Sequence, residues 1–301
     1  MATKSSVVVD RAGQEGQYSQ NLQEREKQRK WVKYLLIAIA VTYLGLLLVF
    51  PVLNVVYAAF ADGFGAFWQA LSTEEFLSAA KLTIVTTLIV IPINTVFGLC
   101  AAWAIARNQF RGRTLLLSMI DLPFSISPVL VGLMLVLLYG RRGWLNPFLE
   151  FVDINIIFAL PGIVLATAFV TMPFVAREVI PVLEELGTSE EAAARTLGAS
   201  DFQIFWRITL PNIRWGLLYG LLLTNARAIG EFGAVSVVSG NIIGKTQTLP
   251  LFVEEAYKNY QSQAAFAAAV VLGALALVTL IFKEVLERRT QKVVEDSENN
   301  S

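Results

Sequence analysis

Residues 82–106 read LTIVTTLIVIPINTVFGLCAAWAIA, a run without one charged side chain. Coiled into a helix at about 1.5 Å per residue, such a run is longer than the roughly 30 Å of a bilayer's hydrocarbon core. Lipid offers no hydrogen bonds, so the backbone must satisfy its own polar groups and a helix is the expected conformation. Pro92 and Asn94 interrupt the run. A helix facing only lipid avoids both, so they point to a neighbouring helix or a wet cavity.

Working outward, five more stretches are long and apolar enough to cross: 32–60, 114–139, 156–176, 212–239 and 264–282. Pro123, Pro128 and Pro173 fall in or beside them. The expected fold is an all-α, polytopic membrane helix bundle of about six transmembrane helices. Residues 1–30 and 287–301 are polar tails around a membrane domain at 31–286. The first stretch is too long for a secretion signal's core, which runs about 7–15 residues, so it is read as an uncleaved helix. Composition agrees: 55% of the chain is apolar or aromatic and 16% is charged, against about a quarter in soluble domains.

With 24 basic and 24 acidic residues the net charge is zero, which gives no electrostatic reason for a nucleic-acid partner. One cysteine excludes an intrachain disulfide, and the absence of histidine leaves little for a metal site or general base. Cys100 is read as a small apolar residue of a helix. Gly240-Asn241-Ile242-Ile243-Gly244-Lys245-Thr246 mimics a phosphate-binding loop but has one residue too few between its glycines. No cofactor is expected in this chain.

Lys and Arg in the loops set the orientation. With both termini inside, eighteen lie in cytoplasmic segments and four outside, while Lys81 and Arg227 sit in or beside spans. Arg107 and Arg177 are counted among the cytoplasmic charges.

Between the fourth and fifth stretches lies a segment, about 185–211, that reads as structured. Thr188-Ser189-Glu190-Glu191 matches a capping box and opens an alanine-rich helix. Gly198 is placed to end it with left-handed backbone. Ser200-Asp201-Phe202-Gln203 is a second capping box, opening a short helix with Phe202, Phe205 and Trp206 at helical spacing. Pro211 suits the first turn of the next helix. The plain alternative is a short amphipathic helix lying in the headgroups.

The run from Gly198 through nine residues to Ile208-Thr209-Leu210-Pro211 resembles the signature EAA-x3-G-x9-I-x-L-P of binding-protein-dependent ABC importer permeases. One position departs: Ala192 stands where the signature has Glu, with Glu190 and Glu191 just before it. Leu122-Pro123-Phe124-Ser125-Ile126-Ser127-Pro128, Thr209-Leu210-Pro211-Asn212-Ile213-Arg214-Trp215 and Asn225-Ala226-Arg227-Ala228-Ile229-Gly230-Glu231-Phe232-Gly233 look like permease subunits of sulfate/thiosulfate importers. The resemblance covers about residues 32–290 and implies a type I ABC importer permease in an inner membrane. It also implies a dimer of ABC ATPase subunits holding ATP and Mg, a homologous second permease and an extracytoplasmic sulfate-binding protein. On the same basis Glu190, Glu191, Ala193, Gly198, Ala199, Phe202, Phe205, Trp206, Leu210 and Pro211 are the ATPase-coupling residues.

Arg227 and Glu231 are four apart in the fifth stretch, hence expected on one helical face. Each would cost about 2.5–3.5 kcal/mol at a helix centre, so neither should face lipid. They either neutralise one another to fix packing or line a pathway with Ser125, Ser127 and Asn225. Gly216 and Gly220 form a small-residue pair suited to helix packing. A secondary transporter fits the broken spans too, but has no use for the docking signature. A membrane enzyme lacks a convincing nucleophile, base or metal cluster.

Overall fold

The computed structural model describes residues 31–298, so the N-terminal tail expected at 1–30 lies outside the described residues. The chain divides into two units at Tyr57/Ala58. The described part of the first belongs to one apolar helix, α1, running Trp31–Phe60. A π turn occupies Gly45–Val49, where the Phe50 N–H bonds to Gly45 O, two residues before Pro51. A proline has no N–H and crowds the carbonyl four residues back, and widening the preceding turn relieves both.

Among the described residues, the regular structure of the second unit is all helical. It comprises α2 (Phe64–Leu71), α3 (Glu74–Arg107), α4 (Arg113–Ser125), α5 (Pro128–Tyr139), α6 (Asn146–Val152), α7 (Leu160–Thr171) and α8 (Pro173–Leu186). Then follow α9 (Ser189–Thr196), α10 (Asp201–Ile204), α11 (Leu210–Ile229), α12 (Gly233–Val238), α13 (Leu249–Lys258) and α14 (Ser262–Glu298).

Local chemistry sets these bounds. Thr73 caps α3 by accepting the Phe76 N–H at 3.3 Å, with Glu74 and Glu75 in the first turn, where carboxylates favour the helix dipole. Pro173 breaks the fourth stretch into α7 and α8. The Met172 N–H bonds to Phe169 O, three residues back, and Ala168 O instead accepts from Asn94 Nδ2 at 3.1 Å. Asn94 also donates to Thr171 Oγ1 at 2.7 Å. The buried asparagine of α3 thus serves a backbone group beside the proline break, as a polar residue at membrane depth should.

Two of the six expected stretches are not continuous helices. Among the described residues, four helices are long and apolar enough to cross, namely Trp31–Phe60, Glu74–Arg107, α7 with α8 over Leu160–Leu186, and Ser262–Phe282, and the bent pair α4 with α5 makes a fifth if taken as one span. The third stretch is bent by 109° between α4 and α5. Pro128 holds Ser127 extended and starts a helix in a new direction. The fifth stretch stops at Ile229 and restarts at Gly233, leaving residues 230–232 outside helix. Arg177, expected in a loop, lies on α8.

Close backbone approaches hold the bundle together. A β-carbon on Gly98 of α3 would lie 2.6 Å from Val175 Cβ, and one on Gly220 of α11 would lie 2.9 Å from Val175 Cα. One on Gly216 would meet Val182 at 3.0 Å. The expected small-residue pair therefore packs α11 on α8, and a core of Ala102, Ile105, Val175, Val179, Leu183 and Ile213 fills the junction of α3, α8 and α11.

Candidate functional site

The segment joining α8 to α11 folds as helix, bend, helix. Gly198 has φ +87° and terminates α9. Its N–H bonds to Arg195 O at 3.1 Å and the Ala199 N–H to Ala194 O at 3.1 Å, the paired closure of a Schellman motif. Ser200 then caps α10: its hydroxyl accepts the Gln203 N–H at 3.4 Å, and Gln203 Oε1 accepts the Ser200 N–H at 3.0 Å. The expected second box is formed. A π turn at Phe205–Thr209, again two residues before a proline, carries the chain into α11 without a break.

The first box is not formed. Thr188 makes no side-chain cap, and Glu191 is engaged elsewhere. Its Oε1 accepts from Arg107 Nη2 at 2.9 Å, from Arg107 Nε at 3.2 Å and from Thr209 Oγ1 at 2.9 Å. Arg107 Nη1 also donates to Leu183 O at 2.6 Å. The Arg107 and Glu191 side chains are 8% and 13% exposed, so this is a sheltered ion pair. A charge-assisted fork outweighs a neutral capping bond, which explains why Glu191 does not reach back. Beside it, Glu190 Oε2 accepts from Asn212 Nδ2 at 2.7 Å. Both glutamates therefore tie the segment to its own bundle. Sequence reasoning missed Arg107, Thr209 and Asn212 as members of the site.

The aromatic face also differs from expectation. Phe202 and Trp206 are 73% and 53% exposed, their ring centroids 6.1 Å apart. Phe205 instead turns inward to Trp103 of α3, edge to face at 5.8 Å. Leu197, ahead of the bend, is 88% exposed and was not expected on this surface. Ala193 is exposed, Ala199 and Leu210 half-buried, and Pro211 exposed in the first turn of α11. The outward apolar residues are thus Leu197, Phe202 and Trp206.

Within the bundle, the two broken stretches meet at their breaks. A β-carbon on Gly233 would lie 2.9 Å from Pro128 Cβ, and one on Gly132 would lie 2.7 Å from Ala234 O. Glu231 stands in the break of the fifth stretch, not on a continuous helical face with Arg227 as expected. Arg227 Nη1 and Glu231 Oε2 are 2.6 Å apart, but the contact lacks hydrogen-bond alignment, so Oε2 is buried with no donor aimed at it. Glu231 Oε1 accepts the Ala234 N–H at 2.8 Å at the start of α12. The Glu231 side chain is 1% exposed and that of Arg227 36%. The pair is therefore one sealed carboxylate and one cation with an open side. Ser125 and Ser127 are exposed at the bend. Asn225 donates to Thr279 Oγ1 at 3.1 Å, clamping α11 to α14. A second ion pair was overlooked: Arg177 Nε donates to Asp121 Oδ1 at 2.8 Å, with the guanidinium 4.9 Å from the Phe124 ring centroid. Asp121 is the one acidic residue of the third stretch, 114–139, and that apolar context could have singled it out.

Residues 95–292 match the family model described as binding-protein-dependent transport system inner membrane component. The chain belongs to that family. Among relatives of these inner membrane components, it is 67% identical over 259 residues to the "Sulfate transport system permease protein CysW" of Synechocystis sp., covering 86% of this chain and 94% of that protein. It is 34% identical over 258 residues to "Sulfate transport system permease protein CysT" of the same organism, covering 86% and 90%. A crystal structure of a bacterial ABC transporter that imports the acidic polysaccharide alginate superposes with a TM-score of 0.74 at 18% identity, covering 88% of this chain and 98% of that one. The likeness is one of fold and agrees with the expected type I importer permease architecture.

Proposed function

We propose that this chain is the membrane-spanning permease subunit of an ATP-driven sulfate importer, with thiosulfate as a second substrate. The observation that carries the reading is the bent segment at 187–209, which presents Leu197, Phe202 and Trp206 outward while its glutamates hold it to α3 and α11. Exposed apolar side chains on a short, rigidly capped helix suit insertion into a groove of a partner. The partner is a dimer of ABC ATPase subunits, which bind the ATP and Mg.

The relatives named for sulfate transport support the substrate, and the resemblance to both CysT and CysW supports pairing with a homologous second permease. An extracytoplasmic sulfate-binding protein delivers the anion. The excess of Lys and Arg on the side of the bent segment supports both termini being cytoplasmic. The pathway runs past the joined breaks, where Arg227 attracts the dianion and Glu231 keeps it from being held too long, with Ser125 and Ser127 as hydrogen-bond donors. Non-helical backbone at membrane depth is tolerated beside a wet cavity, which favours this location.

The test is uptake of labelled sulfate into cells lacking their own sulfate importer and expressing the four-component system. Thiosulfate should compete strongly and molybdate weakly. Molybdate as the better competitor would transfer the assignment to another oxyanion.

A further inference from the structure

Arg107 is the last residue of α3 and lies outside the apolar patch of the bent segment. Its guanidinium nevertheless holds two other elements at once: Glu191 on α9 through Nε and Nη2, and Leu183 O on α8 through Nη1. Thr209, at the entry to α11, donates to the same carboxylate oxygen. Phe205 against Trp103 adds an apolar contact one turn along α3. Of the ion pairs that tie the segment to other residues, this one is sheltered; Arg195 with Asp201, which spans the bend, is 66% and 82% exposed and contributes little.

We propose that Arg107 is a positioning residue that transmits movement of the bent segment into α3 and α8. α9 is only eight residues long and buries none of them, so apolar packing does not fix it to the bundle. What fixes it is the pair of glutamates. Glu190 reaches α11 alone through an exposed contact, whereas Glu191 reaches α3, α8 and α11 through one sheltered guanidinium and one hydroxyl. A fork that donates from three nitrogens resists both sliding and rotation, which a single ammonium does not. α3 also carries Asn94 and Gly98, where it touches α7 and α8. A push on α9 therefore reaches the membrane through Arg107.

The inference rests on the reading that an ATPase docks on this segment, and the experiment separates the two. The complete importer, with ATPase, second permease and sulfate-binding protein, is reconstituted with the wild-type chain, Arg107→Ala, Arg107→Lys, Glu191→Ala and the Arg107→Ala/Glu191→Ala double variant. Three quantities are read: ATPase retained on purification, ATP hydrolysed, and sulfate carried per ATP. For Arg107→Ala we expect retention within about twofold of wild type and sulfate per ATP lower by roughly tenfold, the size of a typical coupling between sites. Arg107→Lys should recover part of the loss. The double variant should be no worse than the poorer single, because both act on one connection. Unchanged sulfate per ATP in Arg107→Ala would overturn the inference, as would losses that multiply in the double variant. If the wild-type chain retained no ATPase, the docking reading itself would fail. Loss of retention in Arg107→Ala that Lys does not repair would reduce the residue to a structural role and equally overturn the proposal.

Discussion

Replacing Gly198 perturbs the segment through its backbone alone. No atom lies within 4 Å of where a β-carbon would sit, so the cost comes from φ +87° and not from a clash. A β-carbon in left-handed backbone costs roughly 1–2 kcal/mol. The bend is closed by two hydrogen bonds, from Gly198 to Arg195 and from Ala199 to Ala194, each contributing a net of about 1 kcal/mol. Strain and closure are therefore comparable for Ala, and for Val the branched side chain adds to the strain. Asn tolerates this conformation better than other residues with a β-carbon. The expected order of sulfate uptake is Gly, then Asn, then Ala, then Val, with Val near background and membrane insertion equal throughout. Uptake is read per inserted chain, alongside co-purification of the ATPase. Val at wild-type uptake would refute the claim that this bend aims a docking helix.

Other variants probe the remaining parts of the site. Exchanging Phe202 and Trp206 for Ser should reduce ATPase retention, read by co-purification, because each removes exposed apolar surface from a helix-in-groove contact. Phe205→Ala should act instead through its lost contact with Trp103, lowering thermal stability more than retention. Arg227→Ala leaves the sealed Glu231 carboxylate without its cation, and because Arg227 is partly exposed the loss falls below the roughly 3–5 kcal/mol of fully buried pairs. Glu231→Gln keeps an acceptor for the Ala234 N–H and should harm uptake less; if the double variant transported like wild type, the pair would be structural only. Gly220→Val should unfold or misassemble the bundle, since even its β-carbon would lie 2.9 Å from Val175 Cα, and detergent stability would fall by at least the roughly 1–3 kcal/mol of an overpacked core.

The membrane class was legible because long uncharged runs have few alternatives, and Gly198 and the Ser200 box were legible because capping is local chemistry. The bends were not. Residues 126–127 and 230–232 are short, and their flanks stay apolar, so a window along the sequence runs straight through them. Phe205 was grouped on one face with Phe202 and Trp206, but it stands about 100° from Trp206 around a helix, far enough to reach Trp103 of α3. Glu191 satisfies a local capping pattern, but its partner Arg107 is 84 positions away and looks like an ordinary loop charge. Long-range ion pairs leave no periodic trace, and the same is true of Asn225 with Thr279.

The proposed function requires that transport through this chain be driven by ATP hydrolysed on a separate subunit docked at the bent segment. Proteoliposomes holding this chain, its homologous partner permease and the ATPase, with sulfate-binding protein outside, test it directly. Labelled sulfate should accumulate only with ATP on the ATPase side, and uptake should vanish when Leu197, Phe202 and Trp206 are all changed to Ser. Accumulation driven by a sodium or proton gradient without ATP, undiminished in that triple variant, would contradict the account.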